Sequence, residues 1–171
     1  NNENYLTGIQ GVARDITKQK NATDELRILS RAIEQSPVSV VITDTNGSIS
    51  YVNPHYCRVT GYSQEEVIGK NPNILRSENM PDEIYTELWK KIKSGKTWTG
   101  EFENKKKDGT FFWESASISP VTDKNGKITH FLSIKEDITE KKKSEKELII
   151  ARDQARESNR LKSAFLATMS H

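Results

Sequence analysis

Residues 98–134 read WTGEFENKKKDGTFFWESASISPVTDKNGKITHFLSI, three runs rich in β-branched and aromatic residues parted by Asp108-Gly109 and Asn125-Gly126. Such dipeptides mark tight hairpins, because Asn, Asp and Gly best tolerate the positive φ that a type I′ turn needs. Trp98 to Glu103 therefore faces Thr110 to Ser119, which in turn faces Ile128 to Ile134. Upstream, Asn46-Gly47 sets Val38 to Thr43 against Ser48 to Val52 by the same argument. The expectation is five antiparallel strands.

Between strands two and three the signals turn helical. Asn53-Pro54 reads as a cap followed by proline at the first helical position. Ser63 with Glu66 reads as a capping box. After Pro81, Ile84, Leu88 and Ile92 recur at helical spacing up to Gly95. Short helices gathered on one face of an antiparallel sheet make an α+β domain.

Helical material flanks this domain on both sides. Residues 20–36 carry Ala22, Leu26, Leu29 and Ile33 at helical spacing and stop at Ser36-Pro37, so they read as a linker helix. Residues 140–171 read as a long polar helix with a narrow seam: Leu148 and Ala155 lie one heptad apart, and Ala151, Ser158 and Phe165 form a second row. Lys162 interrupts the first row, so the expected parallel coiled coil has a soft register. Residues 1–19 contain a second Asp-Ile-Thr (Asp15-Ile16-Thr17) that echoes Asp137-Ile138-Thr139. They read as the last strand and tail of a preceding copy of the domain, leaving 37–139 as the complete copy.

Composition narrows the function classes. A charged fraction of 29% against a hydrophobic 33% places part of the chain in solvated helix, and a net charge of +2 selects neither nucleic acid nor an acidic substrate. The basic runs Lys105–Lys107 and Lys141–Lys143 read as solvated faces. One cysteine, Cys57, allows no intrachain disulfide and no thiolate cluster, in keeping with a cytoplasmic setting. No apolar run has the length to cross a bilayer, so no membrane contact is expected of these residues; an anchor elsewhere in the parent stays open. Phosphate-binding glycine loops, paired metal-ligand histidines and nucleophile elbows are absent.

Several short motifs, in order, resemble the PAS family: Ser50-Tyr51-Val52-Asn53-Pro54, Thr60-Gly61-Tyr62, Gly69-Lys70-Asn71-Pro72, Trp98-Thr99-Gly100-Glu101, Lys107-Asp108-Gly109-Thr110 and Asp137-Ile138-Thr139. The resemblance covers roughly residues 25–140. It implies a five-stranded sheet flanked by short helices, with a groove that holds a ligand in some members and only side chains in others. Trp98, Asn104, Trp113 and Glu114 are the groove candidates, with a core role as the alternative for each. Some relatives with a similar stretch bind FAD, which would make a redox or oxygen sensor; a ligand-free dimerisation module is the other reading. Haem is disfavoured, since relatives hang the iron from a histidine after the residue matching Pro81 and residues 81–94 contain none. Photoadduct chemistry is disfavoured too, because Pro72 stands where light-sensing relatives carry a reactive cysteine.

A second resemblance is to the H-box of histidine kinases, carried by Asn159-Arg160-Leu161-Lys162-Ser163-Ala164-Phe165-Leu166-Ala167-Thr168-Met169-Ser170-His171. It implies that His171 is the phosphoacceptor, whose neutral imidazole attacks the γ-phosphate of ATP. It further implies a homodimer, a downstream kinase domain and a response regulator. The ATP-binding domain is not among these residues, so they are not expected to phosphorylate themselves. Asp137 and Thr139 match the element that joins sheet to output helix in the family, and are assigned signal transmission.

Overall fold

The computed structural model describes residues 17–169. The repeat element at Asp15-Ile16 and the phosphoacceptor candidate His171 lie outside the described residues. The chain divides into two units, residues 1–33 and 34–171. In the first, helix α1 (Thr17–Glu34) begins a turn before the expected linker helix of residues 20–36 and ends two residues short of it. The second holds everything below.

Its centre is one antiparallel sheet of β1 (Ser39–Asp44), β2 (Ile49–Val52), β3 (Trp98–Lys105), β4 (Phe111–Thr122) and β5 (Ile128–Asp137), in the spatial order β2-β1-β5-β4-β3. The last strand thus lies in the middle, paired to β1 (Val41 with Ser133) and to β4 (Ala116 with Lys135). Between β2 and β3 come α2 (Pro54–Thr60), α3 (Gln64–Val67), a 3-10 turn at Pro72–Leu75 and α4 (Asp82–Lys93); α5 (Thr139–Met169) follows β5. This is the α+β arrangement expected from the turn and cap signals.

The caps form as the sequence implies. Asn53 Oδ1 accepts from the Tyr56 amide at 3.1 Å and also from the Val40 amide at 3.0 Å, while its Nδ2 donates to the Val38 carbonyl at 2.9 Å. One side chain therefore both starts α2 and ties it to β1. Ser63 and Glu66 make the reciprocal capping box of α3.

The hairpins differ from expectation. Among the described residues only glycines have positive φ, so Asn46, Asp108 and Asn125 do not sit in type I′ turns. Each loop is one residue longer: the amides of Gly47, Gly109 and Gly126 donate to the carbonyls of Asp44, Lys106 and Asp123, three residues back. A type I turn followed by a left-handed glycine is the three-residue hairpin loop. Asp44 and Asp123 favour it by accepting two further amides each on Oδ1. That side-chain contribution lies before the dipeptide, where a reading centred on Asn-Gly does not look.

Strand alternation puts Phe112, Glu114, Ala116 and Ile118 of β4 and Phe131, Ser133 and Lys135 of β5 on the buried face. Two apolar clusters form there. Tyr56, Val67 and Leu75 meet Val41, Ile49, Val52 and Phe112 in one. Met80, Leu88 and Ile92 meet Trp98, Phe102, Ala116, Ile118 and Phe131 in the other.

Candidate functional site

Beside the second cluster, between the sheet and α4, lies a cavity of about 230 Å³. Four aromatic side chains form part of its walls: Tyr85 and Trp89 from α4, Phe102 from β3 and Phe131 from β5. Tyr85 stacks on Phe102 at 5.5 Å between ring centroids, and Trp89 meets Phe131 edge to face at 5.9 Å. The β1–β2 turn closes one side. Gly47 has φ of 84°, and a Cβ there would fall 2.8 Å from Asn71 Nδ2 and 2.9 Å from the Trp89 ring. Only glycine lets this turn approach the wall so closely.

The sheet supplies a polar floor. Lys135 Nζ donates to Glu114 Oε2 at 3.0 Å, and Asn104 Nδ2 donates to the same oxygen at 2.6 Å. Glu114 is 1% exposed and Lys135 8%, so this is a buried ion pair with a neutral donor added. Lys135 and Asn104 line the cavity; Glu114 holds them from behind. At the mouth, the Arg76 guanidinium lies 4.4 Å from the Tyr85 ring centroid and pairs with Asp82. The Tyr85 hydroxyl is buried with no hydrogen-bond partner among the described residues, and burial pushes its pKa up.

The four groove candidates separate. Asn104 and Glu114 come together at the floor. Trp98 is buried in the cluster, stacked on Phe102 at 5.0 Å, with its ring lying over Gly100; it does not line the cavity. Trp113 alternates to the opposite face of β4 from Phe112 and Glu114, packs at the edge of the second cluster and meets α5. Its amide donates to Thr139 Oγ1 at 2.9 Å, its carbonyl accepts from the Ile138 amide at 2.8 Å, and Lys142 Nζ lies 5.0 Å from its ring. Asp137 completes the junction, accepting from the Thr139 amide at 2.9 Å and from its hydroxyl at 2.5 Å. Lys142 also reaches Glu101 of β3 at 2.5 Å.

Sequence reasoning missed Lys135, Arg76, Tyr85 and Trp89 as cavity residues. Lys135 had a readable signal: Phe131, Ser133 and Lys135 share one strand face, and so do Phe112, Glu114 and Ala116. A lysine and a glutamate on the apolar faces of neighbouring strands are expected to find each other. Cys57 is half-buried against the first cluster, and burial raises its pKa. His55 lies 3.4 Å from Arg58, and His130 is exposed on β5; neither lines the cavity. No described helix is long and apolar enough to cross a membrane.

An antiparallel sheet with an internal cavity and a helix running from its central strand defines a sensory module. The PAS fold family model matches residues 27–138, and the chain belongs to that family. It is 36% identical over 107 residues to the nitrogen fixation regulatory protein of Klebsiella pneumoniae, covering 63% of this chain and 22% of that protein. It is 31% identical over 156 residues to hybrid signal transduction histidine kinase L of Dictyostelium discoideum, covering 91% of this chain and 9% of that protein. The crystal structure of a PAS domain from Colwellia psychrerythraea superposes with a TM-score of 0.64 at 29% identity, over 68% of this chain and 99% of that one. The chain therefore spans under a quarter of the two sequence relatives.

FAD can be tested against this cavity. At about 230 Å³ it falls below the roughly 300–1,000 Å³ of sites that enclose drug-sized ligands. A dinucleotide is larger still and would extend beyond the space as it stands.

Proposed function

We propose that this chain is the sensory and relay module of a two-component sensor histidine kinase. In this reading the state of the cavity passes along β5 to α5 and reaches the phosphoacceptor His171, with two copies joined through α5. The observation that carries it is the junction. Lys135, on the cavity floor, is two residues from Asp137, and Asp137 is the cross-strand partner of Glu114. Asp137 holds Thr139, and Thr139 holds the Trp113 backbone next to Glu114. A floor that shifts therefore moves the first turn of the output helix through hydrogen bonds rather than through a loop.

Two observations support the kinase assignment and the dimer. Similarity to the Dictyostelium histidine kinase covers more residues than the family match does. Beyond Lys142 the described residues of α5 are exposed, Leu148, Leu161 and Phe165 among them. An apolar seam of that kind calls for a second helix. A cytoplasmic parent with a downstream kinase domain and a response regulator completes the proposal.

The test uses the full-length parent kinase. Asp137→Ala is expected to leave autophosphorylation at His171 measurable but unresponsive to the stimulus that regulates the unaltered protein. Regulation that survives the substitution unchanged overturns the junction as the route.

A further inference from the structure

The charges around the cavity balance in pairs. Lys135 at the floor faces Glu114, and Arg76 at the mouth faces Asp82. The lining itself holds two cations and no carboxylate, yet each cation is already neutralised from behind or from the rim. Lys135 Nζ has three N–H donors, and Glu114 is its one hydrogen-bonded partner among the described residues. The buried Tyr85 hydroxyl adds another donor without a partner. The floor and wall thus offer donors to an incoming group, and aromatic side chains frame the space between.

A ligand carboxylate placed on Lys135 would bring a second negative charge beside Glu114 where little water can screen it. Like charges in such a site cannot both stay ionised without a large cost. A neutral carbonyl accepts the same N–H donors and leaves the ion pair intact. The volume admits about eight water-sized groups, which suits one small ring with a substituent. We infer that the cavity takes a small, neutral, planar molecule bearing a carbonyl acceptor, and that Glu114, by neutralising Lys135, is the residue that excludes carboxylates. This rests on reading the cavity as the sensing site of the module.

Benzamide and benzoate separate charge from shape, since they share a ring and nearly a size. Titration calorimetry of the 171-residue chain is expected to show benzamide binding at least about tenfold tighter than benzoate. In Glu114→Gln the ratio should shrink or reverse, because the charge on Lys135 is then unmatched. Removing a buried partner weakens the fold, so a second readout uses Glu114→Ala: added acetate should raise its melting temperature and leave that of the unaltered chain unchanged. Equal binding of the two probes overturns the inference, as does a ratio that Glu114→Gln leaves unaltered, or acetate that fails to rescue Glu114→Ala. Absence of binding by either probe up to about 10 mM, ample for a fragment of this size, overturns it too. That last outcome leaves the relay reading standing, since it is judged on the full-length kinase.

Discussion

The cluster around Tyr56 and the cluster around Trp98 lie against the same sheet face, and they differ in what they leave between side chains. The first joins β1 and β2 to α2 and α3 with Tyr56, Val67 and Phe112 each at most 1% exposed. The second joins β3, β4 and β5 to α4, and beside it the packing opens into the cavity with its ionic floor. A filled core resists deformation, whereas a core with space and paired charges has more than one way to settle. The division suits a sensor: one half holds the sheet in shape, and the other half has something to respond with.

The largest expected effect is at the floor. Glu114→Leu alone strands a buried lysine and should lower stability by about 3–5 kcal/mol. The double change Glu114→Leu with Lys135→Met should recover most of that, read by urea denaturation. If the single and double variants are equally unstable, the two halves do not differ by virtue of the ion pair.

Leu75 and Leu88 test the packing difference with one chemistry. Leu75 is 1% exposed in the filled cluster, and Leu88 lines the cavity at 7%. Truncation to alanine costs about 2–5 kcal/mol in cores, more where neighbours cannot close the gap. Leu75→Ala is expected near the top of that range and Leu88→Ala near the bottom. Equal losses would remove the distinction between a filled and an open side.

The smallest effect concerns a tie across the surface from α3 to the β3–β4 turn. Lys107 bonds to Glu66 at 2.5 Å, and the Ser63 amide adds to it, holding the Glu66 carboxyl well below its usual 4.5, at about 2. A carboxyl depressed on folding contributes stability that is complete above about pH 4.5 and is lost as pH falls through about 2. Glu66→Gln should therefore lower stability slightly at neutral pH, the loss kept small because Glu66 is exposed to screening, and flatten the acid limb by that same small amount. An unchanged acid limb would show that the tie is absent in solution.

Much of this was legible before any coordinates. Asn53, Ser63 and the glycine-marked turns fixed strand number and helix starts, because caps and turns depend on near neighbours in the chain. The turn type was misread because Asp44 and Asp123 act from outside the dipeptide. The groove was only half legible: Asn104 and Glu114 meet at the floor, while Trp98 and Trp113 go elsewhere. Which face a side chain takes depends on strand register, and register comes from pairing over long separations. Tyr85 and Trp89 became cavity residues only through the docking of α4, and Arg76 through its bridge to Asn104, neither of which a local signal encodes.

The place of β5 has a further consequence for how the domain comes into being. Until its residues 128–137 leave the ribosome, the β1–β2 and β3–β4 hairpins have no shared partner, and the sheet cannot join. The final strand is a keystone, and contacts between chain ends close slowly. Helix α5 is threaded directly onto that keystone. Any load carried by α5 therefore bears on the one strand whose removal would part the sheet in two.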